Sequence, residues 1–390
     1  MDIIRPVFDE RELEILRQCL DSGWVTQGPL TEQFELGVAA VQGVAHAVAT
    51  TSCTAALQLA VLALGIGPGD EVVVPAFTWI TSANCAEYAG ARVVFADVDP
   101  DTFNLDPAAL EAAITDRTRA VVAVHLFGLA ADMDRIVSIA RRHSLHVIED
   151  AACGLGTTWR GRPVGGIGDI GCFSFHPRKV VTTGEGGMVT TNNEALAGSV
   201  KSLRNHGATG IPDGDEAVRR PWTMATFNVL GFNLRLSDIQ AAIGIAQMEK
   251  LSRLLEERRN VAKRYIELLS DVQELTMPVG GEFAGHSFQS FVIRLNEGGL
   301  ERRNSVMLML EEDGIQTRPG THAVHLLGYY RDKYGFGQND FPNALNCENT
   351  SITLPNFSGM TDEDISYVAS SIRRALVRYP VGSTGRGCAS

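Results

Sequence analysis

Short, wholly apolar runs separated by helical periodicity dominate the first half of the chain. Val48–Thr50, Val72–Val74, Val93–Phe95, Ala120–His125 and His146–Ile148 read as buried strands. Between them Thr54–Leu64, residues 108–113 and residues 131–142 carry helical patterns, and Gly65-Ile66-Gly67-Pro68-Gly69-Asp70 stops the first of these. Strands that are apolar throughout, alternating with helices, predict a mainly parallel sheet covered on both faces. Ahead of them, residues 9–20 (DERELEILRQCL) predict an amphipathic helix and SGWVTQGPLTEQFE a loop. The longest helical pattern spans 235–269, with Ser237 as its N-cap candidate, and reads as one helix bridging two domains. Beyond it, 287–295, 301–312, 314–319 and 361–378 read as strand, helix, strand and helix. The expectation is an α/β chain: a large domain over 1–249, a smaller α+β domain over 250–378 and a frayed tail over 379–390.

Composition narrows the function. At 390 residues, 45% hydrophobic and 21% charged, the chain is an ordinary globular protein too long for one simple core. A net charge of −12 argues against non-specific nucleic-acid binding, so any anionic substrate needs a local basic patch. Seven cysteines without a C-x-x-C pair read as reduced cytosolic thiols, not as a disulfide frame or a zinc site, and point to a cytoplasmic protein. No apolar run reaches ~18 residues, so no membrane span is expected.

The chemistry concentrates in residues 147–190. One apolar run delivers Glu149-Asp150 at its end, and a second, Cys172–Phe175, delivers His176-Pro177-Arg178-Lys179 into a glycine-rich turn. In open α/β sheets ligands bind outside the strand ends, so a carboxylate and an amine arrive at one mouth. A partly desolvated lysine in such a place is an amine nucleophile suited to a Schiff base with an aldehyde. Gly166-Ile167-Gly168-Asp169-Ile170-Gly171 is literally G-x-G-x-x-G, but it precedes a strand where a dinucleotide fingerprint must follow one, so it reads as a glycine turn. Thr51-Ser52-Cys53-Thr54 opens a helix and suits either phosphate or plain N-capping. Trp79 suits either core packing or stacking on a heteroaromatic ring. His125, His206 and His325 lack metal spacing and read as structural or substrate-side.

The segments GWVTQGP, TTSCTAALQLAVLALGIGPGDEVVVPAFTWITSAN, IEDAA, GDIGCFSFHPRKVVTTGEGGMVTTN, LRNHG, GFNLRLSDIQAAIG and TRPGTHAVH together resemble the DegT/DnrJ/EryC1/StrS family of pyridoxal-phosphate-dependent sugar aminotransferases, from about residue 5 to 375. The resemblance implies the fold type I (aspartate aminotransferase-like) architecture and a homodimer with active sites at the subunit interface. It makes Lys179 the lysine in imine linkage with pyridoxal 5'-phosphate, and Asp150 the partner of its pyridine nitrogen. Ser174 and the Ser52-Cys53-Thr54 turn would hold the phosphate, with Asn233 reaching it from the neighbouring subunit, and Trp79 would cover the ring. Arg204, His206, Arg318 and His325 lie on motifs that face the sugar nucleotide in the family. The implied reaction moves an amino group from an amino acid, glutamate above all, through the pyridoxamine form of the cofactor to a keto sugar linked to a nucleotide.

Two departures bear on the site, the first on the contact to the cofactor's ring hydroxyl or to the sugar and the second on the sugar pocket. Cys153 stands where many relatives carry Gln, His or Glu, and Gly320-Thr321 and Ala323 replace bulkier residues and a common proline, so a differently shaped sugar pocket is expected. Two competing readings are a sugar dehydratase of the same family, which typically has histidine in place of the lysine, and a non-catalytic regulatory protein on this fold. Lys179 argues against the first, and the intact lysine, aspartate and hydroxyl turn against the second.

Overall fold

The computed structural model describes residues 1–210, 222–278 and 284–381; the expected tail lies outside the described residues from 382 onward. Seven strands form the central sheet, in the order His46–Thr50, Gly187–Thr191, Ile170–Ser174, His146–Asp150, Thr118–Val124, Glu71–Pro75, Arg92–Ala96. All neighbours are parallel except at Gly187–Thr191, which runs antiparallel to the strands on either side. Successive residues of the central strands serve opposite faces: Ala120, Val122 and Val124 join one hydrophobic cluster, Val121 and Ala123 another. Burial on both faces is why these strands are apolar throughout.

A smaller unit is built on the antiparallel strands Leu275–Thr276, Phe291–Leu295 and Ser351–Leu354. They pack with the helices Leu251–Leu269, Gly299–Glu312 and Asp362–Arg378 around Tyr265, Phe291, Leu310 and Ile372. A two-residue ladder, His322–Ala323 against Phe77–Thr78, brings this unit's chain to the rim of the central sheet.

Three expectations differ from the structure. The helix over 235–269 is two helices, Asp238–Glu249 and Leu251–Leu269, broken at Lys250 (φ −96°, ψ −5°). There the Lys250 ammonium sits 3.0 Å from Asp9 and 2.6 Å from Glu12, a tertiary pairing that periodicity does not register. The expected loop SGWVTQGPLTEQFE contains the start of a helix, Pro29–Gln42. Proline fits its first turn, where no donor is needed. Its free N–H groups are capped from afar by Asp238, which accepts from Gly28 N at 2.8 Å, Leu30 N at 3.1 Å and Thr31 N at 2.9 Å. The strand expected over 314–319 is a single bridge, Arg318 to Thr353.

The G-x-G-x-x-G turn has a structural job. Glu149, fully buried, accepts from Gly165 N and Ile167 N at 2.7 Å and from Gly168 N at 2.6 Å. His125 lies 2.9 Å from the same carboxylate through Nε2, while its Nδ1 accepts from Ala131 N at 3.2 Å. With Nδ1 an acceptor, the proton is on Nε2, so His125 donates to Glu149. Gly165 holds φ +84°, and a Cβ on Gly171 would come within 2.4 Å of the Gly165 carbonyl, so side chains are excluded where the turn closes. Burial alone pushes the Glu149 carboxyl up, but the His125 hydrogen bond and the amides of Gly168 and Gly165 outweigh it and hold the carboxyl below its ordinary value.

Replacing Glu149 by Gln puts an NH₂ against a site made only of donors, and should lower unfolding stability by about 2–4 kcal/mol in denaturant titrations. Because the folded carboxyl titrates below the ordinary value of 4.5, its contribution is full above that pH and is lost as pH falls through the depressed value. The stability gap between wild type and Glu149→Gln should therefore shrink on acidification.

Candidate active site

The C-terminal ends of the parallel strands point to one edge, and a cavity of about 650 Å³ lies there. Its walls include Ser52, Cys53, Thr54, Trp79, Asp150, Cys153, Ser174, Lys179 and Arg318. Ser52 caps the helix Cys53–Ala63, accepting from Ala55 N at 3.1 Å, so the plain capping role holds. The turn still presents the positive end of that helix to the cavity, an environment for an anion. Gly187 lets it do so, since a Cβ there would meet Ser52 C at 2.3 Å and Cys53 N at 2.6 Å.

Lys179 sits on a loop that closes on itself. The Phe175 carbonyl accepts from Thr183 N and from Thr182 Oγ1, both at 2.9 Å, and Lys179 N donates to His176 O at 2.8 Å. The Lys179 ammonium, half-buried, reaches Cys153 Sγ at 3.2 Å. Asp150 ends its strand almost wholly buried; its Oδ2 accepts from Ser82 Oγ at 2.6 Å and its Oδ1 from Ala152 N at 3.1 Å. These groups act on one another: burial pushes the Cys53 thiol well up, Asp150 adds to that and Lys179 opposes it. On the far wall, burial and then the neighbouring Arg178 push the Arg318 guanidinium below its ordinary value. Among the described residues no carboxylate pairs with either arginine, leaving two cations facing the cavity.

The remaining sequence candidates lie elsewhere. Arg204 is buried, and its Nη1 donates to Glu35 at 2.6 Å and to the Ala49 carbonyl at 2.5 Å, which fastens its helix to the sheet away from this cavity. His325 is packed 4.8 Å from the Phe341 ring centroid and close to Phe95 and Phe336, with neither ring nitrogen hydrogen-bonded; burial pushes its pKa down to about 4. It is a neutral core residue of this chain. His206 and Asn233 are exposed on the surface and outside the cavity lining, Asn233 bridging to Asn205. The cavity wall also holds residues that the sequence reading passed over, among them Thr78, His322, Arg178 and Gln289. His322, 5.6 Å from the Trp79 ring centroid, is the histidine of TRPGTHAVH that faces the site. Alternation along the short strand could have found it, because its neighbour Ala323 is buried.

A profile of the DegT/DnrJ/EryC1/StrS aminotransferase family matches residues 6–373. The chain belongs to that family. It is 41% identical over 379 residues to GDP-perosamine synthase of Caulobacter vibrioides, covering 97% of this chain and 98% of that one. It is 38% identical over 370 residues to the spore coat polysaccharide biosynthesis protein SpsC of Bacillus subtilis, covering 94% and 95%. Among solved structures, Spr1654 of Streptococcus pneumoniae in its PMP form superposes with a TM-score of 0.93 at 28% identity, over 97% of this chain and all of that one. PseC of Helicobacter pylori, an aminotransferase involved in the biosynthesis of pseudoaminic acid, superposes with a TM-score of 0.89 at 25% identity, over 97% and 99%. The architecture is therefore fold type I, the cofactor is pyridoxal phosphate and the activity is that of a sugar aminotransferase.

The donor set in the cavity fits such a cofactor. It offers hydroxyls and a helix N-terminus for a phosphate, a fixed carboxylate for a ring nitrogen and an amine for an aldehyde. Among the described residues no cluster of metal-binding side chains occurs, and no helix is long and apolar enough to cross a membrane.

Of the six described cysteines Cys153 alone is half-buried, the other five being buried. Peptide-mapped alkylation of the cofactor-free protein should mark Cys153 ahead of the other five, and pyridoxal phosphate should slow that labelling, since Cys153 and Lys179 touch.

Proposed function

We propose that the protein transfers an amino group from glutamate to a keto sugar carried on a nucleotide, in amino-sugar and polysaccharide biosynthesis. The observation that carries this reading is the meeting of Lys179, Asp150 and the Ser52-Cys53-Thr54 turn on one cavity. The GDP-linked product in the name of the Caulobacter relative supports a nucleotide-linked acceptor.

When bound, pyridoxal phosphate supplies an aldehyde that takes up the amino group and a ring that withdraws electrons from the donor's α-carbon. Lys179 would hold the cofactor through Nζ, and the same Nζ would take and return the proton at the substrate carbon. Asp150 would keep the ring nitrogen protonated, because an adjacent carboxylate favours the cationic form. Ser52, Cys53, Thr54 and Ser174 would hold the phosphate, and Trp79 would cover the ring. Arg318 and Arg178 receive the anionic parts of the two substrates, which supplies the local basic patch that a net charge of −12 demands.

The working unit is a homodimer. Trp222, Met224, Phe227, Val229 and Leu230 are 77%, 78%, 58%, 47% and 90% exposed along one stretch, an apolar surface of the kind that marks an interaction site. Asn233 lies three residues beyond it, where it would reach a second copy's phosphate end.

Glutamate should convert the visible absorbance of the loaded protein to the pyridoxamine form, and a panel of nucleotide-linked keto sugars should restore it. Lys179→Ala should lower kcat by roughly 10³-fold or more while the variant stays folded. A panel that is inert with every nucleotide and active with a free keto sugar would remove the nucleotide from the reading. Leu230→Asp with Met224→Asp should dissociate the dimer in sedimentation velocity and weaken cofactor retention.

A further inference from the structure

We infer that Ser82 is a positioning residue for the reaction, aiming the Asp150 carboxylate, with Thr78 aiming Ser82 in turn. The inference rests on the proposed role of Asp150 at the cofactor's ring nitrogen.

Three groups on three elements make a buried line. Thr78 closes the short strand Phe77–Thr78, Ser82 sits in the first turn of the helix Thr81–Tyr88, and Asp150 ends a strand of the central sheet. Their exposures are 1%, 0% and 4%. Ser82 Oγ lies 2.6 Å from Asp150 Oδ2 and 3.0 Å from Thr78 Oγ1. An ionised carboxylate only accepts, so the Ser82 proton points at Asp150, and the Thr78 proton must then point at Ser82. The order of donation is thus fixed: Thr78 to Ser82 to Asp150. A helical serine ordinarily returns its hydroxyl to its own backbone or to water. Here it is spent on a carboxylate 68 residues away in sequence.

The geometry leaves Asp150 one way to face. Ala152 N holds Oδ1 and Ser82 holds Oδ2, so the plane of the carboxylate is set from both sides while the remaining lone pairs are available to the cavity. Without Ser82, Oδ2 has no protein donor among the described residues, and the carboxylate can turn about its last bond. Thr78 extends the line toward the acceptor side: its carbonyl accepts from Thr321 Oγ1 at 2.9 Å, and its backbone pairs with His322.

The test compares Ser82→Ala, Ser82→Thr, Ser82→Cys, Thr78→Val and Asp150→Asn as full-length proteins. Pyridoxal phosphate affinity, the pH titration of the bound cofactor's visible band, and kcat and KM for glutamate would be measured for each. Loss of one hydrogen bond to a charged group corresponds to an effect of about tenfold to a hundredfold. Ser82→Ala should weaken cofactor affinity and lower kcat within that range, leave KM for glutamate nearly unchanged and displace the band's titration. Thr78→Val should move the same quantities less, and Ser82→Thr, which keeps the hydroxyl, should restore them. Ser82→Ala with unaltered affinity and titration would overturn the inference, as would a loss of stability alone. If Ser82→Ala fails to fold, equal behaviour of Ser82→Cys, Thr78→Val and wild type in the titration overturns it instead. Should Asp150→Asn itself leave the titration and kcat unchanged, the proposed role of Asp150 falls first, separately from that of Ser82.

Discussion

The pairing of Glu149 with the amides of a glycine turn is the constraint from which the site follows. Glu149 and Asp150 are consecutive on one strand, so their side chains leave on opposite faces. Three N–H groups and His125 hold the first below the sheet, and that fixes how far the strand advances and where the second emerges. The same turn leads directly into the strand Ile170–Ser174, whose end launches the Lys179 loop. Acid and amine are thus registered to each other through a carboxylate that touches neither of them. A buried charge is stable only when satisfied on all sides, and Glu149 meets that condition with donors alone.

Much of this was legible in the sequence. Apolar runs without alternation announced a doubly covered parallel sheet, and most strand and helix cores fall where periodicity placed them. The motif context correctly removed a dinucleotide reading from residues 166–171 and left a turn there. Asp150, Lys179, Ser174, Trp79, Arg318 and the 52–54 turn do line one cavity. What could not be read is whatever depends on distant partners. Asp238, some 200 residues on, caps the helix that begins at Pro29, and Lys250, where the long helical pattern breaks, is paired with two N-terminal acids. Gly187–Thr191, sitting next to the glycine-rich turn, gave no signal of its antiparallel sense.

The side chains that lie outside this cavity are equally instructive. Arg204 and His325 were placed on the substrate side because their motifs, LRNHG and TRPGTHAVH, face the sugar nucleotide in the family they resemble. In the fold one ties a helix to a strand and the other fills space among phenylalanines. Motif membership assigns a stretch of chain to the neighbourhood of a site, whereas burial and hydrogen bonding decide which of its members face in. His322, three residues before His325, shows how small the difference is.

The short ladder between His322–Ala323 and Phe77–Thr78 has a consequence for how the entrance behaves. Strands paired by backbone hydrogen bonds stand about 4.8 Å apart and keep that spacing. One lip of the cavity is therefore pinned to the other at that point. Choice among entering molecules then rests with the side chains on the two lips, Trp79 below and Thr321 and His322 above. Drift at a few rim positions can retune admission while the machinery beneath stays as it is.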